Sequence, residues 1–249
     1  MGSGVLVERH GAVMRIAFDR PDKKNAITTE MYAAAADALL AADLDPAIGA
    51  VVIGSTGETF TAGNDLRDFL ERPPAESSAP VLRFLDALAS TRKPLVAAVR
   101  GAAVGIGTTL LLHCDLVYAA EDARFWMPFV DLGLVPEAGS SLLVPQRVGP
   151  HIAAEFLLLG EPFGAERARA LGLVNEIVPG AELDGLALGK AHALAAKPRE
   201  AMLATRALLR GANAGSVRER IAVEAERFVQ RLASPEARAA MAAFLSRRA

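Results

Sequence analysis

The chain has 249 residues, of which 52% are hydrophobic and 22% are charged, a composition typical of globular rather than disordered proteins. A net charge of −2 argues against a nucleic-acid surface as the main function, and the single cysteine, Cys114, excludes a disulfide framework and a cysteine-based zinc cluster. The apolar runs are too short for a membrane span and no signal-peptide pattern opens the chain, so we expect a cytoplasmic protein that contacts neither membrane nor nucleic acid.

Strand and helix patterns alternate in the first half of the chain. Thr28 can cap a helix from 29 to about 42, with Glu30 in its first turn, where the helix dipole favours a carboxylate. Short apolar, β-branched runs predict strands at 5–7, 13–18, 50–54, 95–99 and 116–119. Strands separated by helices in this way indicate an α/β fold with a largely buried sheet.

Two glycine-marked turns lie between these elements, at residues 60–65 and 101–107. Each precedes a predicted helix, so each leaves free backbone N–H groups that favour negative charge. Two such turns facing each other would form a two-donor oxyanion hole. Alternatively, each is simply a tight turn. A further stretch at 71–79, rich in Pro, Ser and Glu, predicts a mobile loop.

The C-terminal part is predicted to be entirely helical, because no strand pattern follows Glu182. The helices are interrupted at Pro198, at 211–215 and at Ser234-Pro235, where Ser234 can cap a last helix with Pro235 in its first position. Apolar residues on these helices must be covered by other parts of the protein, and we expect a partner subunit to cover some of them. They are Val223, Phe228, Val229, Leu232, Met241, Phe244 and Leu245.

Several familiar catalytic patterns are missing from the sequence. The four histidines have no metal-ligand spacing, so no metal is expected, and His113 and Cys114 are interpreted as core residues. The segment at 101–107 does not match the G-x-G-x-x-G dinucleotide fingerprint. No G-x-S-x-G elbow and no phosphate loop occur.

Five stretches, in order over nearly the whole chain, resemble the crotonase superfamily of enoyl-CoA hydratases and isomerases. They are RPDKKNA at 20–26, FTAGNDL at 60–66, GAAVGIG at 101–107, CDL at 114–116 and GLVN at 172–175. The resemblance implies a spiral of β-β-α units over 1–190 and a helical, trimer-forming region over 191–249. It also implies an acyl-CoA thioester as ligand, with coenzyme A as part of the substrate and no separate cofactor, and a homotrimer or a dimer of trimers.

The resemblance further assigns site residues. The backbone N–H groups of Asn64 and Ile106 correspond to the oxyanion hole. The residues implied to bind the substrate are Lys23, Lys24, Ala26, Ala62, Gly63, Asp65, Leu66, Arg67, Gly105 and Phe129.

The acid–base residues indicate which reaction is catalysed. Typical hydratases of this family carry two glutamates, at positions where this chain has Thr109 and Phe129. A glutamate stands instead at 137, in VPEAGSS at 135–141, which resembles the peroxisomal-type Δ3,Δ2-enoyl-CoA isomerases, as do GND at 63–65 and KKNAITTEMY at 23–32. Glu137 is thereby implied to be the catalytic base, with a pKa raised by apolar surroundings that include Phe129 and Leu134. The alternative is a solvated glutamate at a helix start.

The sequence thus predicts an isomerase that converts 3-enoyl-CoA into 2-enoyl-CoA in the degradation of fatty acids or related acyl groups. Three alternatives stay open. One is thioester hydrolysis or dehalogenation, for which aspartate is the usual nucleophile. Another is residual hydratase activity with Glu137 or Asp131 as the acid–base group. The third is a non-catalytic relative that binds acyl-CoA or RNA.

Overall fold

The computed structural model describes residues 3–73, 79–211 and 214–246. Its strands are β1 (Val5–His10), β2 (Val13–Phe18), β3 (Ala50–Ser55), β4 (Leu95–Val99), β5 (Ala102–Val104), β6 (Leu116–Ala120), β7 (Arg124–Trp126), β8 (Phe163–Gly164) and β9 (Glu176–Val178). Its helices are α1 (Thr29–Leu44), α2 (Leu66–Glu71), α3 (Pro80–Ser90), α4 (Ile106–Thr109), α5 (Ser140–Val148), α6 (Pro150–Ala154), α7 (Ala165–Ala170), α8 (Leu183–Ala195), α9 (Arg199–Gly211), α10 (Ala214–Leu232) and α11 (Pro235–Ser246).

The strands form two sheets. The larger sheet has the order β1-β2-β3-β4-β6-β9, in which β1 and β2 pair antiparallel and every other neighbouring pair is parallel. The smaller sheet has the order β5-β7-β8, with β5 and β7 parallel and β7 and β8 antiparallel. The parallel strands are joined through helices, so the chain is a mixed α/β fold, as the alternating pattern predicts.

Apolar layers cover both faces of the larger sheet. Side chains of α1 and α3 pack in one core with Ile16, Val51 and Ile53, and a second core on the other face joins Val13, Val52 and Val96 to α8. Burial on both faces explains the continuous apolar runs in β3 and β4, all of whose residues are buried.

Several predicted elements occur where the sequence places them. Strands β1 and β2 meet across Gly11, and the Thr28 side chain caps α1 by accepting from the Met31 N–H at 3.4 Å. Ser234 caps α11 by accepting from the Ala237 N–H at 3.1 Å. Residues 74–78 of the predicted loop lie outside the described residues. Of the interruption predicted at 211–215, Gly211 belongs to α9, Ala214 and Gly215 belong to α10, and residues 212–213 lie outside the described residues. The smaller sheet was not predicted.

The packing expected of the C-terminal apolar residues needs correction. Phe228, Leu232 and Met241 are buried in the chain's own core rather than presented to a partner, and the Phe228 ring packs edge-on against Phe69. Val223 is 52% exposed. The Leu245 side chain lies outside the described residues. Other large apolar side chains are more exposed, namely Leu44, Leu158, Leu159, Leu208 and Leu209. Within the described residues, no helix is both long and apolar enough to cross a membrane.

Candidate active site

The two glycine-marked turns lie side by side. The Thr61 N–H donates to the Ala102 carbonyl at 3.0 Å, and the Val104 N–H donates to the Thr61 carbonyl at 3.0 Å. Gly63 has a φ of +87°, and a Cβ there would come within 2.9 Å of the Val104 carbonyl oxygen. Only glycine allows both this backbone conformation and this close approach. The predicted juxtaposition of the two turns is therefore confirmed.

Each turn presents an unused backbone donor. Among the residues that the structure describes, the N–H groups of Asn64 and Ile106 have no hydrogen-bond acceptor. Ile106 is the first residue of α4, where the helix geometry leaves N–H groups without partners. Asn64 follows Gly63, whose carbonyl accepts from the Ile27 N–H at 2.8 Å. Two free donors from adjacent turns suit an oxygen that acquires negative charge.

Buried side chains hold the first turn in place. The amide of Asn25 donates to the carbonyls of Thr56 and Thr59, at 2.9 and 2.7 Å. The Tyr32 hydroxyl, on α1, donates to the side-chain oxygen of Asn64. Burial raises the pKa of Tyr32 well above its usual value, so the phenol stays a neutral donor.

Glu137 is a buried carboxyl group, with 7% of its surface exposed, and not a solvated glutamate at a helix start. The Thr109 hydroxyl, at the end of α4, donates to its Oε1. Burial raises the pKa of Glu137 to about 8, the Thr109 hydrogen bond lowers it, and the nearby carboxylate of Glu224 raises it further. Burial disfavours the charged form, which is the direction expected from the sequence.

Asn64 and Glu137 line the same apolar cleft, which contains about 390 Å³ of space not occupied by protein atoms, part of it open to solvent. Two aromatic and several aliphatic side chains from α2, α3 and α10 form its other walls. The lining residues are Asn64, Phe69, Val81, Leu82, Leu85, Glu137, Ala138, Ile221, Ala225, Phe228 and Val229. The residue that carries one of the two free donors, Asn64, and the Glu137 carboxyl group therefore occur together in an apolar cleft.

The other predicted site residues surround the first turn. Lys23, Lys24 and Arg67 are exposed. The Ala62 N–H donates to the Lys24 carbonyl at 2.9 Å, which places the two lysines beside the turn. Asp65 caps α2, the helix that begins at Leu66, and pairs with Arg20 at 2.7 Å.

The remaining residues that the sequence assigns to the site differ in exposure and in their position relative to the cleft. Ala26 and Gly105 are partly exposed, and the Gly105 N–H donates to the Trp126 carbonyl at 2.7 Å. Phe129 and Leu134 are buried but do not belong to the lining of the cleft around Glu137. Asp131 is exposed and does not line the cleft either.

Sequence reasoning missed three residues of this site. Thr109 was considered only as a position without a glutamate, whereas its hydroxyl is the hydrogen-bond partner of Glu137. Tyr32 and Asn25 belong to the motif that carries the family resemblance, but nothing in that motif shows that they hold the first turn. The residues that accept hydrogen bonds from Asn25 and Tyr32 lie 31 to 34 residues further along the chain, and local sequence patterns do not reveal such pairs.

Known proteins match both the sequence and the fold. A family model described as enoyl-CoA hydratase/isomerase matches residues 8–249. The chain is 36% identical to "Enoyl-CoA delta isomerase 2" of Homo sapiens, over 98% of this chain and 64% of that protein. It is 32% identical to "2,3-dehydroadipyl-CoA hydratase" of Escherichia coli, over 99% of this chain and 97% of that one.

A solved structure of Pseudomonas aeruginosa OdaA superposes with a TM-score of 0.95 at 45% identity, over 98% of this chain and 99% of that chain. The isomerase relative is a longer protein, since this chain spans less than two thirds of its length. The chain is therefore similar both to proteins named as isomerases and to proteins named as hydratases.

Proposed function

The chain belongs to the enoyl-CoA hydratase/isomerase family, the crotonase superfamily, and from that membership we propose that it is a Δ3,Δ2-enoyl-CoA isomerase of fatty-acid or related acyl-CoA degradation. One observation carries the proposal. Among the described residues that line the cleft, Glu137 is the carboxyl group that faces the acyl channel, with Thr109 hydrogen-bonded to it. A hydratase needs carboxylates to hold water and to transfer its proton, and Thr109 and Phe129 supply none.

The proposed reaction begins with proton removal. The C2 protons of a 3-enoyl thioester are acidified by the thioester carbonyl and by the alkene. The Glu137 carboxylate takes one of them, and the electron pair of the C–H bond moves into a dienolate with its charge on the thioester oxygen. The N–H groups of Asn64 and Ile106 stabilise that oxyanion, and each lowers the activation free energy by about 2.7–4 kcal/mol.

The reaction ends with the return of the same proton. The Glu137 carboxyl group delivers it to C4, the dienolate collapses, and a conjugated 2-enoyl thioester results with no net gain or loss of atoms. One carboxyl group can serve both steps because C2 and C4 lie close together. A pKa of about 8 suits this task, since the group must both accept and release a proton near neutral pH.

We further propose how the substrate lies. The acyl tail would follow the apolar cleft between α3 and α10, because its lining is almost entirely aliphatic and aromatic. The nucleotide end would lie near Lys23 and Lys24, which are exposed beside the first turn and carry the charge that phosphates attract. Arg67, exposed at the start of α2, would be a weaker contributor.

A homotrimer or a dimer of trimers is proposed as the assembly. Support comes from the family resemblance and from exposed apolar side chains, with Leu208 and Leu209 on α9 at 82% and 81% exposure. Light scattering at micromolar concentration tests this point. Three or six times the mass of one chain is expected, and a stable, active single chain would contradict it.

Separate incubations with a 3-enoyl-CoA and with a 2-enoyl-CoA test the proposed activity. We expect the absorbance of the conjugated thioester to rise in the first and to stay constant in the second. Loss of that absorbance in the second incubation would instead favour hydration, the activity named for the Escherichia coli relative.

A further inference from the structure

The segment that carries Glu137 has an unfavourable backbone conformation. Ala138 and Gly139 follow it with φ values of +59° and +73°, so two consecutive residues are in the left-handed region. A residue with a Cβ, such as Ala138, rarely adopts this conformation. The turn therefore needs support from the rest of the protein in order to keep the Glu137 carboxyl group in place.

Local hydrogen bonds hold the carbonyls of Glu137 and Gly139, the latter through the N–H groups of Leu142 and Leu143 at 3.0 and 2.9 Å. The N–H and the hydroxyl of Ser140 both donate to the Glu137 carbonyl, at 3.0 and 2.6 Å. From outside, His113 Nε2 donates to the Ala138 carbonyl at 2.7 Å. Burial lowers the pKa of His113 to about 4, so this imidazole is neutral and is fixed as the tautomer with hydrogen on Nε2.

The remaining support comes from Glu224 on α10. Its Oε2 accepts from the Gly139 N–H at 2.6 Å, and its Oε1 accepts from the Ser141 N–H at 2.8 Å. One carboxylate thus binds two amides of the turn, 83 to 85 residues away along the chain. The turn also packs closely against α10, since a Cβ on Gly139 would contact Val217 and Ile221 of that helix.

A carboxylate is a costly choice for this position. Glu224 is only 5% exposed, and burial raises its pKa, whereas the hydrogen bonds from Ser141 and Gly139 and the charge of Arg220 on the same helix lower it. Within the described part of the chain it forms no direct ion pair with an arginine, lysine or histidine. A buried carboxylate is tolerated only where hydrogen bonds replace its water, and an apolar side chain here would leave the Gly139 and Ser141 N–H groups without this acceptor. Its presence therefore calls for a role that apolar packing cannot fill.

The same helix also forms one wall of the cleft. Ile221, Ala225 and Phe228 line the cleft at helical spacing, and Glu224 itself is not among the lining residues. Glu224 therefore touches the turn and not the substrate channel. Helix α10 joins the acyl wall to the segment that carries the base.

We propose that Glu224 is a positioning residue for Glu137, which holds the left-handed 138–139 turn so that the Glu137 carboxyl group stays in the cleft that Asn64 also lines. This inference rests on the proposed isomerase function for the role of Glu137.

Glu224 also affects the pKa of Glu137 through its charge. The groups that face Glu137 are the Thr109 hydroxyl from α4, the Tyr32 phenol from α1 and the Glu224 carboxylate from α10. Glu224 is the charged member of this set, and its negative charge helps to raise the pKa of Glu137. Removal of that charge should therefore lower the pKa of Glu137.

Two variants and a matched control test the proposal. Glu224→Gln removes the charge and places an amide N–H₂ against one backbone donor, and Glu224→Asp keeps the charge but is too short to reach both amides. Glu226→Gln, two residues along the same helix and exposed, is the control for loss of one negative charge on α10. Each protein is measured for isomerisation, for binding of a saturated acyl-CoA, and for amide hydrogen exchange at Gly139 and Ser141.

For Glu224→Gln we expect kcat, measured well above the pKa of Glu137 so that the base is deprotonated in both proteins, to fall by about tenfold to a hundredfold, as for a small displacement of a reacting group, with KM changed less than threefold. The Glu137 carboxyl should titrate at lower pH by ¹³C NMR, and the two amides should exchange faster. Glu224→Asp should show the faster exchange and the lower kcat while the Glu137 titration stays near that of the unaltered protein. The control should match the unaltered protein in every measurement.

The proposal is overturned if a folded Glu224→Gln protein keeps kcat within twofold and retains slow exchange at both amides. It is also overturned if kcat and saturated acyl-CoA binding fall together, since that pattern indicates collapse of the cleft. If the unaltered protein does not isomerise 3-enoyl-CoA, the proposed function is wrong. The exchange and titration measurements still decide in that case whether Glu224 holds the turn and tunes Glu137.

Discussion

Replacement of Thr109 by valine tests the coupling between the hydroxyl group and the base. The change is nearly isosteric, but it removes the donor to Glu137 Oε1. A hydrogen bond to a charged group contributes about 1.5–3 kcal/mol, and one pKa unit corresponds to about 1.36 kcal/mol, so the pKa of Glu137 should rise by about one to two units. From a starting pKa of about 8, the carboxyl group would then be almost fully protonated at neutral pH.

The expected signature is a pH-dependent defect. Only the deprotonated base is active, so the activity of Thr109→Val at pH 7 should fall about tenfold to a hundredfold and should recover as the pH approaches 10. The assay is the pH profile of kcat/KM for a 3-enoyl-CoA, with Thr109→Ser as the control that keeps the hydroxyl group. A loss of activity that is equally deep at all pH values would refute the reasoning, because it would indicate displacement of Glu137 rather than a change in its pKa.

Three further predictions follow from the same geometry. Glu137→Gln should reduce kcat more than tenfold while acyl-CoA binding persists. Because the folded-state pKa of Glu137, about 8, exceeds the unfolded value, the unaltered protein loses stability as the pH rises from about 4.5 to 8, and Glu137→Gln should not undergo this loss, so its Tm at pH 9 should be higher by at least about 4 °C. Tyr32→Phe frees the side chain of Asn64, and kcat should fall about tenfold with KM nearly constant, whereas an unchanged kcat would exclude a role for that hydrogen bond. Replacing Lys23 and Lys24 together by alanine should raise KM several-fold at constant kcat in steady-state kinetics, and an unchanged KM would argue against phosphate binding there.

The sequence supports prediction where the signal is local. Strands such as Ala50–Ser55 and Leu95–Val99 are continuous apolar runs because both faces of the sheet are covered, and Thr28 precedes a helix that it caps. The smaller sheet was missed because its strands are only two or three residues long and one of them, Ala102–Val104, lies inside a glycine-rich turn. Strands of that length show no recognisable alternation.

Contacts between residues far apart in the sequence could not be predicted. The sequence indicates that Glu137 is a candidate base, yet its partner Thr109 lies 28 residues away and the supporting Glu224 acts from 83 to 85 residues away. The same holds for the C-terminal helices. Their amphipathic pattern predicts that Phe228 and Leu232 are buried, but the pattern carries no information about whether the chain's own core or a neighbouring subunit covers them.

Mass analysis of the products formed from a 3-enoyl-CoA tests the central claim most directly. Isomerisation through Glu137 predicts a product of the same mass as the substrate that shows the absorbance of a conjugated thioester, formed more than tenfold more slowly by Glu137→Gln. A product heavier by one water, or release of free coenzyme A, would contradict the proposed reaction, because hydration or hydrolysis would then be the chemistry of this site.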